Sequence, residues 1–593
     1  MSLISLVKSK LQSRAFKDLF KLFCASENEA NLQIESMDIV STLVDNLEEA
    51  HHRNDIKLLS ACEDMLKLIA EKCVPQEVLL EVLERIESSQ DDNIFTSLLK
   101  VLQVILLRFN EKKVRSLEWS LNTIYSYVDR IELPDYVSKV GEAEEKLLEC
   151  DETIRRILLL YMTVLLFLEP IWKTLDNKES IFKSTGLTRK NVVICFVLHL
   201  LGKHLLHLDT HYKSYKEDEI PVVEDVKTYS RQVVEDLISV MCNLLGDPFQ
   251  LLPYGEKRMR WRCSRTRQND SPILNIFMSE EKCPRLGLAM YHYFLLGEDL
   301  LPSTTPTVYA KHHIFEMCLY YCVTLMTHDQ SSAHHKGIML AKRLLKIMAV
   351  DKLTSDNLDV QIHQEFCTSL SKLIVYSSSE RTRKDGTFLL RDYILQFDSK
   401  GSYLVIANLL KTIKHSGLHS YVSTIYKDLV NKHLNCVDEP DAWFVGASLK
   451  HLLLTEICVL IDGIGTDLVE NSDTVITGLN VLRFLLIRDK LNQTGIWEYT
   501  TEIEQNYLLP LRKSLDLSKA HFKEEQSTVI QSRTSIKDSE VDVCVSVING
   551  ESVPEINREK KLELLNDAFN KFDLMECLLA RVIDCMNSNP KNT

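Results

Sequence analysis

Trp443–Trp497 reads WFVGASLKHLLLTEICVLIDGIGTDLVENSDTVITGLNVLRFLLIRDKLNQTGIW, and the spacing of its apolar residues decides the fold. Val445, Leu449, Leu452, Leu453, Ile457 and Leu460 recur at three- and four-residue intervals, which puts them on one side of a helix and requires that side to be buried. Asp441 is the expected N-cap, and Gly463 and Gly465 supply the positive φ expected to end the helix. Ser472 or Asp473 then caps a second helix, whose inward stripe is Val475, Ile476, Leu479, Leu482 and Leu486 and whose other side carries Asn480, Arg483 and Arg488. Two such helices cannot bury their stripes alone, so the unit makes sense only when stacked on similar pairs, as in an α-solenoid.

The rest of the chain repeats this texture. Its 593 residues suffice for more than one core or for a long stacked array. Its 17 glycines and 14 prolines are each about 3% or less, against the usual ~7% and ~5%, so turns are few and helices many. No stretch of fixed length recurs, which disfavours tetratricopeptide and ankyrin arrays; the expected fold class is all-α, with irregular HEAT-like helical repeats in two halves.

Residues 1–246 read as one helical region, with polar joints at Ser26–Glu29, His51–Asp55, Ser88–Asp92 and Asp176–Glu179. Gly246-Asp247-Pro248-Phe249 breaks the pattern, and Pro253, Pro272, Pro284, Pro302 and Pro306 follow, so residues 247–307 are expected to form an irregular junction. Helical periods resume over 308–593, with a kink expected at Pro510. A polar, aromatic-poor flexible insert is expected at about 526–560. Within it Val541–Ile548 alternates and precedes Asn549-Gly550, a strand or hairpin-arm signal. A last helix, Lys561–Met586, is expected to cap the array by burying Leu564, Leu565, Ala568, Phe572, Met575, Leu579 and Ile583.

A net charge of −14 opposes a surface built mainly for nucleic acid, since phosphate neutralisation needs a basic face. The 16 cysteines form no CxxC pair, and most, such as Cys195, Cys458 and Cys577, occupy apolar helix positions; they read as reduced core thiols of a cytoplasmic protein. Lys8 and Lys10 interrupt any signal-peptide core. The longest apolar run, Ile157–Leu168, rises only ~18 Å as a helix against a ~30 Å hydrocarbon layer, so it reads as a buried helix and no membrane association is expected.

Chemistry-bearing motifs are sparse. His207 and His211 have the i,i+4 spacing of a metal-chelating helix, but Leu208 stands where a zincin has Glu, and with His199 and His204 they read as a solvated His-rich edge. Cys318 and Cys322 lie in an apolar run and read as packed thiols. Lys257, Arg258, Arg260, Arg262, Arg265 and Arg267 place six cations in eleven residues around Trp261; the plain reading is a surface loop meeting neighbouring carboxylates, the sharper one a grip on an anion or acidic partner. There is no GxSxG, Walker A, GxGxxG or HExxH, so an enzyme reading has no residues to name and no metal or cofactor is expected.

Several strings of the carboxy-terminal half closely resemble the glomulin family. In order they are Phe397-Asp398-Ser399-Lys400-Gly401, His415-Ser416-Gly417, Trp443-Phe444, Asn471-Ser472-Asp473, Leu479-Asn480-Val481-Leu482-Arg483, Asn492-Gln493-Thr494-Gly495-Ile496-Trp497, Ser518-Lys519-Ala520-His521 and residues 572–582, FDLMECLLARV. The resemblance is specific over about 385–585 and looser upstream. It implies a HEAT-like protein whose carboxy-terminal region clasps the RING subunit of cullin–RING ubiquitin ligases and covers the surface that recruits the ubiquitin-conjugating enzyme. Immunophilins and a receptor tyrosine kinase are further partners it implies, and a general scaffold or adaptor bridging them is the alternative. Polar or amphipathic groups projecting from helices whose stripes account for folding are the candidate contacts: Asn480, Arg483, Arg488, Asn492, Gln493, Trp497, Tyr507, Lys513, His521 and Arg581. The competing reading is that Trp497 and Tyr507 are core and that Arg581 pairs with Glu576 or Asp584.

Overall fold

A computed structural model describes residues 2–109, 113–134, 151–175, 186–208, 210, 228–264, 275–303, 305, 308–435, 441–531, 546–548, 551–553 and 558–588. The protein is an all-α helical-repeat chain; among the described residues its only strands are Ser546–Ile548 and Glu551–Val553, an antiparallel pair with Ser546 opposite Val553. These strands fall at the strand or hairpin-arm signal of Val541–Ile548, of which 541–545, like Asn549-Gly550, lie outside the described residues.

The chain forms two compact units, Met1–Ile347 and Met348–Thr593. In the first, successive helices pack in pairs: Ser36–His52 with Ile56–Lys72, Pro75–Ser88 with Asp92–Arg108, and Lys311–Met326 with Ser331–Ile347. Asp55 caps the second of these helices by accepting from the Leu58 amide, and Asp91 caps Asp92–Arg108 through the Asn93 amide, so two of the polar joints are N-caps. The joint at Asp176–Glu179 lies outside the described residues. The Pro-rich stretch lies wholly inside the first unit, because Tyr254–Ser264 and Arg285–His292 both pack against Lys311–Met326. The units therefore part later in the chain than its proline density suggests.

Ile157–Leu168 lies within the Glu152–Lys173 helix but is buried on one side only, with Leu159 63% and Leu166 69% exposed. No described helix is long and apolar enough to cross a membrane. Cys318 and Cys322 are fully buried, and burial pushes both thiols far up; Cys577, by contrast, is exposed on the last helix.

The second unit stacks Gln361–Tyr376 on Glu380–Leu395, then Ser399–Thr412 on Ser416–Leu434, then Gly446–Leu452 with its π turn Leu453–Ile457, followed by Ser472–Arg488. Leu353 sits beside Phe397 in an isolated parallel bridge, its amide donating to Gln396 O at 3.1 Å and its carbonyl accepting from Asp398 N at 2.8 Å. The first helix of the 443–497 stretch is shorter than its apolar period: Val445 holds the N-cap position, and Asp441 instead closes a turn by accepting from the Trp443 amide. The Gly446 amide donates to Thr494 O at 2.9 Å, which anchors the helix start to a later loop. The helix closes through its π turn at Ile457, so Gly463, at φ +58°, turns the chain after the helix has ended. Ser472–Arg488 then begins without a side-chain cap bond. Its Gly478 is set by packing, since a Cβ there would stand 2.9 Å from Ile457 O and 3.0 Å from the Tyr507 hydroxyl.

Pro510 causes no mid-helix break. The helix runs on from Thr500–Ile503 through a π turn at Glu504–Leu508 into Leu509–Gln531, so the distortion expected at Pro510, which has no amide to donate, takes the form of a π turn just ahead of it. This helix carries 526–531, the start of the expected insert, and 532–545 lie outside the described residues. The last helix, Arg558–Asn587, packs on both Ser472–Arg488 and Leu509–Gln531; Leu565, Ala568, Phe572, Met575 and Leu579 are buried and Ile583 is half-buried, whereas Leu564 is 52% exposed.

Candidate functional site

The candidate contacts lie on three helices and one loop. On Ser472–Arg488, Val475, Leu479, Leu482 and Leu486 are buried while Asn480 and Arg488 are exposed and Arg483 is half-buried, as a one-sided apolar stripe requires. Arg488 is tied down, donating to the Asn435 amide oxygen. Leu509–Gln531 buries Leu511, Ser514 and Leu515 and turns Lys513 and His521 outward. Arg581 is exposed on the last helix and, among the described residues, neither Glu576 nor Asp584 pairs with it; the Glu576 carboxylate is taken by Lys519 at 2.5 Å.

The last two long helices run antiparallel, since contacts ascend on one as they descend on the other. Lys519 meets Asp573 at 2.7 Å, Phe522 packs edge-on to Phe572 at 5.3 Å, and Lys561 reaches Glu525 at 3.1 Å. Burial works against the Lys519 charge, but its two carboxylates win and hold the ammonium above its ordinary pKa.

The loop after Arg488 is organised by one buried carboxylate. Asp489, 3% exposed, accepts from the Gln493 amide at 2.7 Å, the Thr494 amide at 2.7 Å and the Thr494 hydroxyl at 2.5 Å. Asn492, at φ +55°, accepts from the Trp497 amide at 3.1 Å and donates to Glu498 at 3.3 Å, so its amide serves the turn; Gln493 points to solvent. Gly495, at φ +77°, completes the reversal in a conformation that a side chain disfavours.

Two candidates are core residues. Trp497 is 7% exposed with its indole N–H donating to Asp489 O at 2.8 Å, and Tyr507 is fully buried with its hydroxyl donating to Val475 O at 3.4 Å. Large aromatics with one polar atom fill such positions when that atom finds a backbone acceptor. Their place on the surface falls to aliphatic groups the candidate set omits: Ile487 (49% exposed), Leu491 (82%), Leu517 (60%) and Leu574 (48%). Their signal is an apolar residue outside the buried stripe, hard to see in a run as apolar as FLLI at 484–487.

The basic segment is a different object from the expected loop. It is the helix Tyr254–Ser264, and Arg258 is a buried strut: Nε donates to Phe277 O at 2.8 Å and a terminal nitrogen to Cys283 O at 2.6 Å. Lys257 lies over the Tyr254 ring at 5.1 Å, and exposed Arg260 pairs with Glu256 at 2.5 Å. The Arg262 side chain, Arg265 and Arg267 lie outside the described residues.

The histidine cluster is not a solvated edge either. His204, 1% exposed, bonds Ile131 O at 2.9 Å and lies 3.3 Å from the Tyr161 hydroxyl; His199 bonds Lys282 O and His207 meets Ser332. His211 lies outside the described residues. Among the described residues no three His, Cys, Asp or Glu side chains converge on a position that could hold a metal.

Three of the strings that carry the resemblance are joints of the fold. Asp398 caps Ser399–Thr412 through the Gly401 amide at 2.6 Å, His415 caps Ser416–Leu434 through the Leu418 amide at 3.3 Å, and Asn492–Trp497 is the loop gathered by Asp489. Mouse glomulin is 26% identical over 540 residues, covering 90% of this chain and 85% of its own length. Human glomulin is 25% identical over 533 residues, covering 89% and 83%. The sequence profile described as an uncharacterised protein family, YAP/Alf4/glomulin, matches residues 2–151 and 301–568, more than half of the chain. Matched by that profile over most of its length, this chain of stacked helix pairs belongs to the YAP/Alf4/glomulin family.

Proposed function

We propose that the protein is a non-enzymatic regulator of cullin–RING ubiquitin ligases, acting in the cytoplasm, whose second unit docks on the RING subunit and masks the surface that recruits the ubiquitin-conjugating enzyme. The observation that carries this reading is a set of uncompensated cations on the three helices at 472–587: Arg483, Lys513 and Arg581 have no ion-pair partner among the described residues and stand on helices whose buried faces already account for folding. Exposed Ile487, Leu517 and Leu574 supply apolar area on the same helices. Similarity to glomulin over most of both chains supports a glomulin-like regulator, and the RING partner is what the resemblance of the carboxy-terminal strings implies. Occlusion needs no bond chemistry; a standard interface of roughly 1,600 Å² is enough to cover a docking groove. The residues assigned to the contact are Asn480, Arg483, Arg488, Gln493, Lys513, His521 and Arg581, with Asn492 shaping the loop that presents Gln493.

A ubiquitin-discharge assay tests this. Adding the protein should halt RING-stimulated transfer, and the double variant Arg483→Ala, Arg581→Ala should lose affinity for the RING subunit at an unchanged melting temperature. Unaltered discharge alongside retained binding would favour an adaptor that bridges partners such as an immunophilin and a receptor kinase.

A further inference from the structure

A second surface of the same unit is concave. Gln361–Tyr376, Ser399–Thr412 and the 446–457 segment, the leading helices of three successive pairs, enclose an open groove of about 1080 Å³. That exceeds the 300–1,000 Å³ of small-molecule sites and suits several residues of a peptide. Its floor includes buried Val405, Leu409, Leu418 and Leu452, and its rim carries Tyr376, 80% exposed, and Leu404, 38% exposed. A tyrosine ring left in water at the lip of an apolar groove is the kind of anchor that interfaces cover.

The polar lining is lopsided. Lys372, Lys411 and Lys414 are all exposed and, among the described residues, none has an ion-pair partner, although the chain as a whole carries −14. Lys411 sits in the last turn of its helix, where the macrodipole alone favours a cation, but Lys372 and Lys414 do not. The lining carboxylates are Asp359, at the opposite end of the first helix from Lys372, and Glu456 on the third segment.

We propose that this groove docks an acidic, amphipathic peptide segment of a partner protein, its apolar side chains covering Tyr376 and Leu404 and its carboxylates meeting Lys372, Lys411 and Lys414. The inference does not rest on the ligase reading: the groove is lined by residues 355–456, whereas the masking contacts begin at Asn480.

The test pans a phage-displayed library of random dodecamer peptides against the full chain and measures binding of the synthesised winners by fluorescence polarisation. The enriched pool should be rich in Asp and Glu interspersed with Leu, Phe or Trp. The triple variant Lys372→Glu, Lys411→Glu, Lys414→Glu should weaken those peptides by about tenfold or more, chiefly through slower association, as for rim charges elsewhere. Tyr376→Ala, at a side chain that folding leaves exposed, should weaken them as well and carries the test if the triple variant fails to fold. Ligase discharge should be unaffected by either change. Absence of enrichment, a basic or uncharged pool, or binding indifferent to both variants overturns the proposal. Loss of ligase inhibition in the Tyr376→Ala protein would overturn the separateness of the two surfaces.

Discussion

Replacing Asp489 by alanine should loosen the 489–497 loop while leaving the helices on either side folded. The carboxylate accepts three hydrogen bonds, from Gln493 N, Thr494 N and Thr494 Oγ1, and Thr494 is fully buried. Bonds to a charged acceptor contribute roughly 1.5–3 kcal/mol each, so a plain sum would reach about 4.5–9 kcal/mol. The sum overstates the loss, because Gln493 is exposed and its amide can turn to water, and because the three bonds share one acceptor group. A net cost of ~3 kcal/mol is the appropriate scale, which is about two decades in the opening equilibrium of the loop. Amide hydrogen exchange read on peptides covering 489–497 should therefore accelerate about a hundredfold in Asp489→Ala, and change little in Gln493→Ala, whose side chain points outward. The same variant should weaken the RING docking proposed above, since the loop presents Gln493. Exchange in the Asp489→Ala loop within about threefold of the parent would refute the claim that this carboxylate holds the loop closed.

Arg258→Ala should cost the first unit about 3–5 kcal/mol, because it removes a buried guanidinium and orphans the carbonyls of Phe277 and Cys283, whereas Arg260→Ala should stay within ~0.5 kcal/mol. Thermal unfolding of the two variants side by side checks this, and equal shifts would count against the strut. Burial lowers His207, His292, His363 and His419 to about 4 from the ordinary 6.5. Between those values the unfolded chain binds more protons than the folded one, so stability should be complete above pH 6.5 and fall as the pH drops towards 4. A melting temperature flat across that window would show these imidazoles to be hydrated.

Helix existence is legible in this chain because a 3.6-residue apolar period is a local signal; the stripe of Val475, Leu479, Leu482 and Leu486 identifies its buried face without reference to any partner. Helix ends are less so. Val445, not Asp441, begins one helix because the Gly446 amide is committed to Thr494 O, a contact 48 residues away that no local pattern encodes. The candidate site splits along the same line: exposure of Asn480, Lys513 and Arg581 follows from their position opposite a stripe, while Trp497 and Tyr507 go inward because backbone carbonyls of Asp489 and Val475 await their polar atoms.

The order of residues alone determined that this polypeptide is made of stacked helix pairs and, through a profile match over most of its length, its family, since both depend on the pattern along the chain. Which cations are surface and which are struts, as Arg260 and Arg258 are, was decided only by tertiary packing. So was the difference between Leu517, left in water, and Leu515, two residues earlier and buried. The physical reason is common to all of these: burial depends on what another segment brings to the same place, and a residue's own neighbours in sequence do not carry that information.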